Sequence, residues 1–399
     1  MSTGTHSAPD RIALPAIRIA PLGRHTRYML AAYLRHVFLV TSVLLAIALT
    51  IDLWPQLQLI SDSHGYGALG AAWSVLRYAA LRSPGLVAPF LSFATFLGVL
   101  WTEVVFTQSG ERMLVWNSGR SPVQCLAPVI LLGVILGACE FAMDAYIGPT
   151  AMGVQMHERL GLDGQRLDRT RRGSTSWIAL PDGLLKTEIE YGPPPVLHNL
   201  TFFKRDAWGK LTEVDMATVA HLQPGTKLWL MRGGRSWTSK GILPSTIVIG
   251  SSAGETMIPF ATRMTSLDID PLWLSVFGME SQYLPLHVLR SLSQSDRDTE
   301  SKNLYRTRLQ VLYGEILLPG AMALLAASLS MLLLAYGTPA IALVGIIFTG
   351  YLAHFGTKAC LLMGQIGYIA PAVAGWLVPL GLLSVTLAVF VVIARRAKR

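Results

Sequence analysis

The sequence predicts a membrane α-helical protein, with six transmembrane helices and an inserted all-β domain. Three observations carry that expectation. Apolar segments fall into two groups of three, each segment near the roughly 20 mostly apolar residues that a bilayer crossing needs. A polar insert from about Pro149 to Tyr313 separates the groups, too long for a loop and too polar for lipid. Composition agrees: 52% of the 399 residues are hydrophobic and 14% charged, against about 25% charged in an average soluble protein.

The predicted spans are Val37–Leu53, Leu86–Phe106, Val123–Met143, Ile316–Ala335, Ala340–Met363 and Ala372–Ala394. A net charge of +9 raises nucleic acid as a partner, but the placement of the charges excludes it. Arg11, Arg18, Arg24, Arg27 and Arg35 precede span one, Arg395, Arg396, Lys398 and Arg399 follow span six, and Arg112 and Arg120 sit between spans two and three. Short basic flanks mark the cytoplasmic side, whereas long domains translocate largely regardless of charge. Both termini are therefore expected in the cytoplasm and the insert outside. The basic lead is too long for a cleavable signal peptide, and residues 1–20 read as a disordered tail. Cys125, Cys139 and Cys360 fall in or beside spans, so the insert folds without disulfides.

Span one closes on Ile51-Asp52-Leu53-Trp54-Pro55, with Asp52 where the helix leaves the hydrocarbon and Trp54 suited to an interfacial belt. A Gly- and Ser-rich linker, Ser61–Gly70, precedes a helical pattern over Ala71–Leu81, and span two follows Pro84. Glu103 near its inner end reads as snorkelling to the interface. The link Thr107–Pro122 predicts a short surface helix, with Ser109 as cap, Glu111 against the N-terminal dipole and Gly119 as stop. Its apolar side is Met113, Leu114 and Trp116. The spacing fits a plain interfacial helix and a docking element equally.

After a helical tail, Thr150–Leu160, the insert changes to strand periodicity. Trp177–Leu180, Leu184–Ile189, Leu197–Phe203, Leu211–Ala220, Lys227–Met231 and Thr256–Phe260 are short runs of β-formers. Pro181-Asp182-Gly183, Gly192-Pro193-Pro194-Pro195, Ala207-Trp208-Gly209, Gln223-Pro224-Gly225 and Arg232-Gly233-Gly234 separate them. That spacing predicts a sandwich or jelly roll. A short helix over Tyr283–Leu292 and a charged lead, Asp296–Arg308, follow.

The chain has no nucleotide-binding P-loop: Gly209-Lys210-Leu211-Thr212 lacks its spacing. Intramembrane ionisable residues are few. Glu140 and Asp144 fall near the outer end of span three, and Lys358 and His354 in span five, the histidine reading as a packed polar residue. No nucleophile elbow or metal-ligand spacing emerges, so any work against a gradient is powered by another chain.

The order of parts and several strings resemble the LptF/LptG (YjgP/YjgQ) family of lipopolysaccharide-export permeases, from about Arg27 to Arg396. The strings are Arg27-Tyr28 into span one, Ile51-Asp52 closing it, Glu111 and Gly119 before Ser121, and Asp144-Ala145-Tyr146-Ile147-Gly148-Pro149 after span three. In the insert they are Asp206 with Gly209-Lys210-Leu211, then Leu228-Trp229-Leu230. Leu284-Pro285-Leu286, Pro319, Gly367-Tyr368-Ile369-Ala370-Pro371 and Gly375-Trp376-Leu377-Val378-Pro379 complete the match. Gly65-Tyr66-Gly67 and Arg82-Ser83-Pro84 look more like the LptG member than LptF.

The resemblance implies a division into a cytoplasmic tail (1–26), spans one to three with a coupling helix at 109–119 (27–148), a periplasmic β-jelly-roll domain with flanking helices (149–313), and spans four to six with a basic tail (314–399). It implies a non-catalytic ABC transporter permease subunit in the bacterial inner membrane, serving lipopolysaccharide transport and outer membrane biogenesis. The implied partners are an LptB-like ATPase dimer that alone binds ATP and magnesium, a second LptF/LptG-like permease, LptC-like and LptA-like bridge proteins, and lipopolysaccharide. Glu111 matches the acidic coupling position, so Glu111, Arg112 and Met113 are the expected ATPase contacts. Arg77, Arg82, Arg306 and Arg308, with Lys302 further out, are candidate cations for lipid phosphates, against snorkelling or contact with anionic lipid. Three departures bear on that grip: Ala48-Leu49-Thr50 lacks a lysine, Glu315 replaces a basic residue before Pro319, and Tyr336-Gly337-Thr338-Pro339 lacks basic residues. The alternative class is a membrane receptor or sensor with an external β-domain.

Overall fold

A computed structural model of the chain describes residues 23–61, 68–112, 114, 122–165, 175–190, 194–223, 226, 228–238, 257–295, 301–334 and 339–396. Among them, five helical stretches are long and apolar enough to cross a membrane: Arg24–Gln56, Leu69–Gln108, Leu126–His157, Ala340–Ile366 and Pro371–Ile393. Lys302–Gly314 and Leu318–Leu333, bent by 49°, pass the same test together and make a sixth candidate when taken as one span.

The helices outrun the predicted spans because helix propensity continues where hydrocarbon ends. Helix α1, Arg24–Leu53, begins thirteen residues before the predicted Val37 and buries Met29, Tyr33, His36 and Val37 on one side. A 3₁₀ turn over Trp54–Gln56 and a short α2, Leu57–Ser61, follow. Helix α3, Ala68–Gln108, is one element of 41 residues, about 60 Å at 1.5 Å per residue. It runs through Pro84, where the sequence predicted a break. A proline inside a helix removes one backbone hydrogen bond, and Ser83 Oγ, donating to Ala79 O at 2.6 Å, covers a neighbouring carbonyl. Span three is α4, Pro122–Ala142, continuing through a π-helical turn, Met143–Ile147, into α5, Gly148–His157.

Span four is divided into α8, Ser301–Gly314, and α9, Leu318–Leu333. Pro319 lies in the first turn of α9, where it has no N–H to give the preceding turn, so the bend has a covalent cause. Spans five and six are α10, Ala340–Ile366, and α11, Pro371–Arg396. Spans three and four meet through glycines. A Cβ on Gly133 would fall 2.4 Å from the Gly320 Cα, and one on Gly137 2.0 Å from the Ile316 carbonyl oxygen. Small residues four apart let helix backbones touch where no hydrophobic effect drives association.

The core of the bundle lies among α1, α3, α4 and α9, around Tyr33, Val37, Phe96, Val99, Leu132 and Met322. Burial is nonetheless uneven from helix to helix, and α1 contributes only its first turns to this core. Only 11% of the most apolar stretch is buried in α1, α10 and α11, against 56% in α3 and 44% in the α4–α5 crossing.

The insert forms one antiparallel sheet with strands in chain order: β1 Thr175–Leu180, β2 Gly183–Glu190, β3 Val196–Arg205, β4 Leu211–Leu222, β5 Leu228–Thr238 and β6 Ile258–Ser266. All six predicted strands are present. Their connectivity among the described residues is a meander of successive hairpins rather than the paired Greek keys of a formal jelly roll. The β3–β4 connection is a tight turn. At Asp206, Oδ1 accepts from the N–H groups of Trp208 (3.0 Å) and Lys210 (2.8 Å), with Gly209 at φ +78°.

Strand β5 runs on to Thr238, through the Arg232-Gly233-Gly234 triplet that the sequence marked as a turn. A Cβ at Gly234 would lie 2.3 Å from the Phe260 ring, so an aromatic side chain covers the bare backbone and the ladder continues. The sheet is strongly coiled. Arg263 of β6 pairs opposite Met231, yet its guanidinium reaches Asp215 (2.7 Å), Ser236 Oγ (2.7 Å) and Glu213 (2.5 Å). Five residues separate Ser236 from Met231, roughly 16 Å of extended chain, a reach closed to a flat sheet. Burial pushes the Asp215 carboxyl above its ordinary range, opposed by Ser236 and Arg263. The inner face packs Leu185, Leu197, Phe202, Trp229 and Met231 against the return segment, including Leu267, Ile269 and Leu274. Helices α6, Pro271–Ser275, and α7, Leu286–Gln294, then lead to α8.

Candidate functional site

Charged side chains gather at two levels of the bundle. The first lies at the link between spans two and three. Helix α3 ends at Gln108, and Gly110, at φ +76°, turns the chain so that Glu111 and Arg112 face opposite ways. The Ser109 hydroxyl donates back to Phe106 O (3.4 Å) at the end of α3, not forward as the expected cap. Glu111 is half-buried and accepts from Tyr28 OH at 3.1 Å. Arg112 turns inward: it is 6% exposed, ion-pairs with Glu103, and donates to Ser330 O at 3.0 Å. Glu103 also accepts from Tyr33 OH. Glu103 therefore does not snorkel; at 3% exposure it is a buried anion held by two donors. Met113, Gly119 and most of the predicted coupling helix lie outside the described residues, and Leu114 is exposed.

The second level lies at the sheet end. Asp52 accepts from Tyr78 OH (2.7 Å) and pairs with Arg82 (3.2 Å), which also pairs with Asp163 (3.1 Å) and donates to Tyr283 OH (3.2 Å). Burial raises the pKa of the Tyr283 phenol, partly offset by the Arg82 guanidinium. Arg77 pairs with Glu158. Deeper in the bundle, Glu140 accepts from Ser92 Oγ (2.7 Å), and Arg308 pairs with Asp144 and, at 3.6 Å, with Glu315. Lys358 lies within electrostatic reach of all four charges. This cluster sits where both helix irregularities fall, the π turn of span three and the bend of span four. His354, one turn before Lys358 on α10, is stacked on Phe90 (6.0 Å) and lies beside Phe93 (5.4 Å), as a packed polar residue.

The four candidate phosphate cations thus have different surroundings. Arg77, Arg82 and Arg308 are each charge-compensated by carboxylates. Arg306 is exposed, donates through Nε to Ser293 O (3.0 Å), and has no carboxylate within ion-pair distance among the described residues. Lys302 is half-exposed. Glu315, the departure before Pro319, forms part of the Arg308 pair.

The sequence model for the lipopolysaccharide export system permease LptF/LptG covers residues 27–392. The chain belongs to the LptF/LptG family. The description joins the two members and does not separate LptG from LptF. No curated protein matches the chain.

Within this LptF/LptG-family chain, the sequence singled out Glu111, Arg112, Arg82 and Arg308 for contacts with a partner or a lipid, and did not mark Tyr28, Tyr33, Glu103, Asp163 and Tyr283 as the groups they or their neighbours meet within the chain. Glu103 and Arg112 carried a usable signal: opposite charges at the same end of neighbouring elements, close enough in sequence to meet across a glycine turn. Asp163 and Tyr283 carried none, because their partner Arg82 is 81 and 201 residues away in the chain.

Proposed function

We propose that this chain is a non-catalytic permease subunit of an ABC transporter. It extracts lipopolysaccharide from the inner membrane and passes it to a periplasmic bridge of LptC-like and LptA-like proteins. Its termini and link face the cytoplasm, where an LptB-like ATPase dimer binds ATP and magnesium, and its sheet is periplasmic. The observation that carries this reading is the unequal burial of the spans. Helices α1, α10 and α11 present apolar faces including Val43, Ile47, Val344, Phe348, Leu352 and Leu377 that no part of this chain covers among the described residues. A second LptF/LptG-like permease opposite those faces encloses a space with apolar walls for acyl chains. Glu111 is the docking group at the cytoplasmic end, Arg112 its inward anchor and Met113 its neighbour. Arg306 is the cation for lipid phosphates, and Arg77, Arg82 and Arg308 take part only where phosphate replaces their carboxylate partners.

Isolating the chain in gentle detergent tests this. The expected result is an ABC ATPase, a second six-span protein and bound lipopolysaccharide identified by mass spectrometry. Recovery of the chain alone, with unchanged lipopolysaccharide delivery on depletion, refutes it and favours a receptor. Orientation has its own readout: a cysteine at Trp208, 93% exposed at the β3–β4 turn, reacts with an impermeant maleimide from outside. Labelling only after lysis reverses the topology.

A further inference from the structure

We infer that Arg112 is a positioning residue that ties the link to spans one, two and four, transmitting displacement of the link to the bundle. This rests on the permease reading and deepens it. Three elements meet at one buried guanidinium, and a fourth joins through its carboxylate partner. One terminal nitrogen pairs with Glu103 of α3, and the other donates to the Ser330 carbonyl in the last turn of α9. The same Glu103 carboxylate accepts from Tyr33 of α1. Arg112 is 6% exposed, Glu103 3%, Tyr33 1% and Ser330 0%.

An ion pair is not needed here for adhesion. Apolar residues of similar volume commonly replace a buried pair without loss of stability. A guanidinium bonded through two nitrogens differs in direction rather than in strength. Its planar fork fixes distance and angle to both acceptors, whereas apolar surfaces slide past one another. The tie also has a lever on its outer side. Gly110 in the left-handed region sends Glu111 outward, to the surface at Tyr28, and the next residue inward. A push received at Glu111 therefore acts one residue from the anchor.

The test uses the complete complex, with ATPase and partner permease, in vesicles loaded with purified lipopolysaccharide; the readouts are lipid released per ATP hydrolysed, thermal midpoint and assembly yield. The informative variant is the double replacement Glu103→Met with Arg112→Met, which leaves no charge unpaired. It is expected to assemble and melt as the wild type does and to hydrolyse ATP, while lipid per ATP falls tenfold or more. Arg112→Lys keeps the charge but not the fork, and is expected to restore part of that ratio. A double variant with the wild-type ratio overturns the inference, as does one that fails to assemble, since the role is then structural. A wild-type complex that hydrolyses ATP and moves no lipid overturns the permease reading itself.

Discussion

Replacing Gly137 by alanine tests the packing of spans three and four against a control of identical chemistry. The new Cβ would lie 2.0 Å from the Ile316 carbonyl oxygen and 3.0 Å from its carbon. Ordinary contact begins near 3.4 Å, so the backbones must separate by about 1.4 Å or the helix must rotate; no flexible side chain is there to yield. Overpacking of this kind costs about 1–3 kcal/mol, and a backbone obstacle places the cost toward the upper end. Helix propensity returns about 1 kcal/mol. The net expectation is a loss of about 1–2 kcal/mol. At Gly153, exposed within α5, a Cβ meets nothing within 4 Å, so Gly153→Ala gains up to about 1 kcal/mol. The two variants should therefore differ by roughly 2–3 kcal/mol, with opposite signs against the parent. Unfolding of the purified protein in detergent, titrated with a denaturing surfactant, reads this directly. Equal stability of the two variants would refute the close approach of spans three and four.

Three further outcomes are expected. Arg308→Met leaves Asp144 and Glu315 without their shared cation and should cost about 3–5 kcal/mol; adding Asp144→Asn should recover part of it in the same surfactant titration. Glu111→Lys should lower the yield of ATPase co-purified with the chain while membrane insertion is unchanged, as read by affinity pull-down and membrane fractionation. Arg263→Met removes the cation that opposes the upward shift of Asp215. The native sheet then holds the Asp215 proton to higher pH than the unfolded chain does, so its stability should fall as pH rises through the acidic range above 3.8. Melting at successive pH values checks the sign, and a variant whose stability rises across that window contradicts it.

The bundle and the sheet were legible because each rests on a short-range period: long apolar runs for spans, and alternation broken by Gly, Pro and Asp for strands. What sequence missed depended on groups brought together by folding. Pro84 reads as a helix boundary, but a membrane helix surrounded by other helices tolerates the lost hydrogen bond. Gly233 and Gly234 read as a turn because Phe260, which covers one of them, lies on the next strand. Glu103 reads as a snorkelling anion until Arg112 is seen to fold back over it. The connectivity of the sheet was underdetermined, since strand spacing alone does not distinguish a meander from a Greek key.

The bend in span four has a mechanical consequence. Helix α9 is seated by glycines against span three. Helix α8 is gripped on the other flank, where a Cβ on Gly375 would meet the Gln310 backbone at 2.5 Å and one on Gly364 the Thr307 side chain at 2.6 Å. Span six packs along both α8 and α9 and so bridges the proline-set corner between them; α8, 14 residues, is about 21 Å long. A 10° rotation at that corner sweeps the far tip through nearly 4 Å. Any such rotation must carry the flanking span six along with it before it reaches the segment that feeds the sheet.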